Sequence, residues 1–167
     1  ELEVLALAFI DPETLLAGTS GGVFRSTNGG RAWRETTFST DHAPVLSLAY
    51  DGARAWAGTE RGLFFSEDAG LTWHKRLDGL VNQVGLTSAG RMVLWTENAL
   101  LVSGDAGSTW QSWLAVPPEI VPAISAVTVC GENALLLGLE DGRVLRAEYH
   151  GCLSVLPNLL ATLPSSD

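Results

Sequence analysis

The chain has 167 residues, 46% of them hydrophobic and 17% charged, and 10 Lys+Arg against 19 Asp+Glu give a formal charge of −9. That length supports one domain with a buried core, and the apolar fraction excludes a disordered chain. No apolar run approaches the ~20 residues of a membrane helix, and the acidic balance repels a phosphate backbone, so neither a membrane span nor a nucleic-acid partner is expected.

Along the chain, apolar runs alternate with strong turn signals. The first unit predicts strands at roughly 4–10, 14–19, 22–27 and 32–37, separated by Asp11-Pro12, Ser20-Gly21 and Asn28-Gly29-Gly30. Its parts then return. Val4-Leu5-Ala6-Leu7-Ala8-Phe9 matches Val45-Leu46-Ser47-Leu48-Ala49-Tyr50, Ala17-Gly18-Thr19 matches Ala57-Gly58-Thr59, and Gly22-Val23-Phe24 matches Gly62-Leu63-Phe64. The turn Ser26-Thr27-Asn28-Gly29-Gly30-Arg31-Ala32-Trp33 comes back as Ser66-Glu67-Asp68-Ala69-Gly70-Leu71-Thr72-Trp73. It comes back again as Ser103-Gly104-Asp105-Ala106-Gly107-Ser108-Thr109-Trp110. A fourth unit runs from about Ile124 through Leu135-Leu136-Leu137-Gly138 and Val144-Leu145-Arg146-Ala147 to Gly151 and Cys152, where only the glycine of the turn survives.

Four units of about 40 residues have the length of four-stranded propeller blades. The strands are apolar on both faces, as a sheet stacked between two neighbours must be, and no segment keeps a helical period. The innermost strands carry small side chains (Ala6, Ala8, Ser47, Ala49), which suits strands converging on an axis. The expected fold is therefore all-β, a single propeller domain over 1–167 with blades at about 1–41, 42–80, 81–119 and 120–164.

The pattern Ser-x-Asp-x-Gly-x-Thr-Trp resembles the Asp-box, or bacterial neuraminidase repeat, of sialidases, sortilin-type receptors, xyloglucan-cleaving hydrolases and photosystem II assembly factors. Two boxes are complete, and the first has Asn28 and Ala32 in place of Asp and Thr. The box reads as structural. Ser26, Asn28, Gly30 and Trp33, Ser66, Asp68, Gly70 and Trp73, and Ser103, Asp105, Gly107 and Trp110 are expected to build turns between third and fourth strands. The acid caps turn N–H groups, the glycine takes a positive φ, and the Trp covers apolar surface between blades. Identical settings argue against catalytic acids or a metal, because catalysis needs unlike groups converging at one point.

The resemblance places ligands on the opposite rim, where inter-blade loops meet the turns between second and third strands. His42 and Asp41 lie in one such loop. Glu60, Glu97 and, with one inserted residue, Glu140 share a turn position, with Arg61 and Asp141 beside them. Arg61 is the one basic residue expected at these turns. The candidate ligand-binding residues are thus His42, Glu60, Arg61, Glu97, Glu140 and Asp141, an acidic rim suited to a cation, a basic partner or a sugar. A sialidase would need clustered arginines, a Tyr-Glu pair and an early Arg-Ile-Pro stretch, which the chain lacks. The reading is a non-catalytic scaffold for a protein or glycan, with no cofactor. The alternative is part of an Asp-box glycoside hydrolase using paired carboxylates on that rim.

Cys130 and Cys152 form neither a disulfide framework nor a zinc spacing, and a pair or two thiols both fit. The chain starts at Glu1 without a signal-peptide pattern, the mark of a removed leader or of a piece of something longer. The compartment is open; the resemblance alone leans toward a secreted or periplasmic one. Four blades are few for this repeat. An unclosed arc would expose outward faces with Val4, Leu7, Phe24, Val144 and Leu145. A larger propeller or a two-fold homodimer, blade one of each copy on blade four of the other, would cover them, and a compact closed four-blade ring is the third arrangement that fits.

Overall fold

A computed structural model describes residues 1–38, 43–113 and 119–149, together with the backbone of 153–155. Four antiparallel four-stranded sheets follow one another in chain order. The first holds β1 (Val4–Phe9), β2 (Leu15–Thr19), β3 (Gly22–Ser26) and β4 (Arg34–Glu35). The second holds β5 (Val45–Tyr50), β6 (Ala55–Thr59), β7 (Gly62–Ser66) and β8 (His74–Asp78). The third holds β9 (Val81–Leu86), β10 (Met92–Thr96), β11 (Leu100–Ser103) and β12 (Gln111–Ser112). After a 3-10 turn at Val121–Ala123 come β13 (Ile124–Cys130), β14 (Ala134–Leu139), β15 (Val144–Glu148) and β16 (Leu153–Val155). The expected strands are present; the outermost strand of the first blade is cut to two residues, because box residues 32 and 33 belong to the turn.

The inner strands pack in the succession β1, β5, β9, β13, so the sheets stack as blades around an axis. Each inner strand carries a bulge at its second residue. Val4 pairs with Thr19 but Ala6 with Gly18, and the same shift recurs at Val45/Ser47, beside Val81 and Gln83, and at Ile124/Ala126. A bulge inverts the alternation of faces. Val45 and Leu48, three apart, therefore share the face that meets the first blade, whereas Ser47 and Ala49 turn the other way. This parity change explains why the inner strands read as apolar on both faces.

Core lies in the seams between blades. The first seam buries Leu16 and Val23 of blade one against Val45, Ala57, Phe64 and Trp73 of blade two. The second joins Trp56 and Leu63 to Val81, Val84, Met92 and Leu94. The third joins Val93, Leu100, Val102 and Trp113 to Val127, Leu135, Leu137 and Leu145. The blades approach tightly at Gly18, where a Cβ would lie 2.7 Å from Val45 Cγ1 and 3.0 Å from its carbonyl oxygen. Gly58 meets Val81 in the same way.

One expectation is corrected here. Leu145 does not lie on the outer flank of the fourth blade: it is 2% exposed and belongs to the third seam. Its partner on β14 is Leu137, so both face blade three, and the neighbouring Val144, opposite Gly138, faces outward. Cys130 carries a free thiol, and Cys152 lies outside the described residues.

Candidate functional site

The three boxes are built alike. The serine hydroxyl accepts the glycine N–H, from Gly30 to Ser26 at 2.9 Å and from Gly70 to Ser66 and Gly107 to Ser103 at 2.8 Å. The same hydroxyl donates to the acid or amide two residues on, at 3.0 Å to Asn28, 2.7 Å to Asp68 and 2.8 Å to Asp105. That side chain in turn accepts the N–H four residues ahead, from Ala32, Thr72 or Thr109. In the complete boxes a second carboxylate oxygen takes the threonine hydroxyl, at 2.6 Å in Asp68 and 2.7 Å in Asp105. Box one lacks that bond because Ala32 has no hydroxyl. Trp33 and Trp73 donate from Nε1 to the carbonyls of Gly30 and Gly70, which fixes the indole against the turn.

These bonds set the electrostatics. Burial works against charge at Asp68, yet hydrogen bonds from Thr72, Ser66 and Leu71 outweigh it and bring the carboxyl down to about 2. The Thr109 N–H and hydroxyl and the Ser103 hydroxyl bring Asp105 to about 2 as well. A carboxylate held ionised by its own turn is a poor proton donor near neutral pH, so the geometry matches the capping role. Sequence reasoning missed one feature of the turn. The residue before the glycine is also left-handed, with φ 58° at Ala69 and 53° at Ala106, where box one has Gly29.

At the opposite edge, the start of each inner strand meets the turn between its second and third strands. Ser20 N–H donates to the Glu3 carbonyl at 2.9 Å, and Glu140 N–H to the Ala123 carbonyl at 3.0 Å. Glu60 and Arg61 form a two-residue turn between Thr59 and Gly62, closed by the Thr59 hydroxyl donating to the Gly62 carbonyl. Glu97 and Asn98 lie between Thr96 and Ala99 in the same manner. The fourth blade has the longer turn Glu140-Asp141-Gly142-Arg143, in which Leu139 N–H donates to the Arg143 carbonyl at 2.9 Å. Glu60, Glu97 and Glu140 therefore occupy the first position of equivalent turns, and all three are exposed.

Arg61 is not the only basic residue on these turns. Arg143 ends the fourth and bonds Asp141 from Nε at 2.7 Å. Hydrogen bonds from the Arg143 backbone and side chain lower the Asp141 carboxyl below its ordinary value. The single inserted residue moved Arg143 off the strand, which sequence alignment alone did not reveal. His42 lies outside the described residues. Among the described residues, no three His, Cys, Asp or Glu side chains gather into a metal-binding group.

No protein-family model and no curated protein matches the chain. Solved structures do. A structure of YCF48 bound to D1 peptide superposes with TM-score 0.74 at 15% identity, covering 97% of this chain and 59% of that one. YCF48 from Cyanidioschyzon merolae gives 0.75 at 17% identity, covering 93% and 56%. The GH74 xyloglucanase from Xanthomonas campestris gives 0.69 at 18% identity, covering 93% and 30%. This chain thus spans less than three fifths of the YCF48 structures and under a third of the xyloglucanase. What the likenesses show, together with the three boxes at one position of successive blades, is a β-propeller fold of the Asp-box kind.

Proposed function

We propose that this chain is a non-catalytic propeller scaffold that holds a basic protein segment on the rim of its second-to-third-strand turns. The observation that carries the reading is the carboxylate repeated in register on three successive blades, Glu60, Glu97 and Glu140, each exposed at the first position of its turn. The box acids on the other edge are engaged within their own turns, which leaves the rim, among the described residues, as the edge with unengaged repeated acids. A net charge of −9 adds long-range attraction for a cationic partner. The solved structure of YCF48 with a peptide supports a protein segment as the class of partner.

Fluorescence anisotropy with a labelled Lys/Arg-rich peptide and an acidic control tests this. The basic peptide should bind, weaken with salt, and be lost in the triple variant Glu60→Gln, Glu97→Gln, Glu140→Gln. Equal binding by parent and triple variant rejects the rim. A glycan partner, or hydrolysis by paired carboxylates of the same rim, is the competing reading and is supported by the likeness to GH74 enzymes. Chromophore release from aryl glycosides by the parent, abolished in Glu60→Gln or Glu97→Gln, would favour it over the scaffold.

A further inference from the structure

The first blade presents an uncovered apolar flank. Val4 is 61% exposed, whereas Val45, at the same register of blade two, is 0% exposed beneath blade one. Trp33 is 38% exposed and its counterpart Trp73 4%. Leu7, Phe9 and Phe24 repeat Leu48, Tyr50 and Phe64 on this flank, which forms a shallow recess with Leu2 and Ala17. Among the described residues, the flank is the receiving half of a blade seam without its giving half.

The giving half stands on the outer flank of the fourth blade. In the first seam blade one gives Ala6, Ala8, Leu16, Gly18, Val23 and Arg25. At the same registers the fourth blade carries Ala126, Thr128, Leu136, Gly138, Val144 and Arg146, identical but for Thr128. The second and third blades differ at most of these positions, carrying for example Trp56 and Phe65, or Val93 and Val102. The match reaches the close contacts. Gly18 forms the slot for Val45, while a Cβ on Gly138 would meet nothing nearer than 3.5 Å, so its slot is open. Arg25 Nε donates 2.8 Å across the seam to the box carbonyl of Ala69, and Arg146 holds that register with Nε 3.3 Å from Glu148.

We propose that a second copy of this chain docks its fourth blade onto the first, seating Val4 over Gly138 and bringing Arg146 to the first box. Two such contacts, related by a two-fold axis, close an eight-blade ring. The docking flank is separate from the acidic rim, so the two proposals fail independently.

Sedimentation equilibrium of the 167-residue chain at micromolar concentration tests the pairing. The parent should run at twice its 17.7 kDa. Val4→Arg and Gly138→Val should each run as monomers with unchanged circular dichroism, since Val4 is exposed and a Cβ on Gly138 has room within one copy. An equimolar mixture of the two variants retains one intact seam and should recover dimer. A monomeric parent overturns the proposal, and so does a ladder of ever larger species. A dimer that Gly138→Val leaves intact places blade one on blade one and also overturns it, as does a mixture that stays monomeric.

Discussion

Arg25 on β3 reaches across the first seam and donates from Nε to the carbonyl of Ala69 at 2.8 Å, so the box turn of one blade is held by the blade before it. The second seam has the same device from another strand: Arg76 on β8 donates to the Gly107 carbonyl at 2.7 Å and to the Ser108 hydroxyl at 2.9 Å. A box therefore does two things. It closes its own hairpin, and it offers carbonyls that tie neighbouring blades together.

Arg25→Met keeps most of the apolar stem and removes the donor. A hydrogen bond from a charged group to a partly buried carbonyl contributes about 1.5 kcal/mol. Urea denaturation should show a loss of about that size with an unchanged m-value. A loss below a few tenths would mean that water replaces the arginine at no cost.

Ala69 and Ala106 adopt a left-handed backbone that a Cβ disfavours by roughly 1–2 kcal/mol. Ala69→Gly and Ala106→Gly should each raise stability, by about 0.5–1 kcal/mol after the greater flexibility of glycine in the unfolded chain is counted. Thermal melts of the two single variants and the double variant check the sign and, since the boxes are far apart in sequence and separately bonded, near-additivity.

Trp73 is buried under Phe38, whose ring centroid lies 5.5 Å away, and against the first seam. Trp73→Ala should cost about 3–5 kcal/mol. Trp33→Ala, measured in protein kept monomeric by Val4→Arg, should cost less than half as much, because its flank is open. Equal losses would show that the indole acts mainly through its own turn rather than through the seam.

The acid limb of stability follows from the boxes. Asp68 and Asp105 sit at about 2 when folded, against an ordinary 3.8. The unfolded chain therefore takes up these protons first. The stabilisation is complete above the ordinary value and is lost as pH falls from about 4 toward 2. Asp68→Asn with Asp105→Asn should flatten the fall in melting temperature across that window. An unchanged slope would assign acid sensitivity to other carboxylates.

The first box predicts how these residues couple. Asn28 accompanies Ala32, whereas Asp68 accompanies Thr72 through a hydroxyl bond of 2.6 Å. In a cycle of Asp68→Asn and Thr72→Ala, the double variant reproduces the side chains of box one and should cost less than the sum of the single changes. Strict additivity would show that the hydroxyl bond contributes nothing beyond its solvated alternative.

The sequence by itself determined the repeat, its four units, the strand order and the local bonding of the boxes. All of these rest on short-range chemistry: a serine, an acid and a glycine within five residues bond one another wherever the chain goes. The shared position of Glu60, Glu97 and Glu140 was legible for the same reason, since a turn position is counted from its own hairpin. Tertiary structure alone decided which way each strand faces. One bulge residue inverts the parity of an inner strand, and pairing rather than composition puts Leu145 inward and Val144 outward. That the extra turn residue frees Arg143 from the strand is visible only once the pairing is fixed. Arg25 and Ala69 stand 44 residues apart, and no local pattern marks them as partners. Their bond exists because the seam brings two flanks together, and the open seam at Val4 and Gly138 is legible only against the one that is closed.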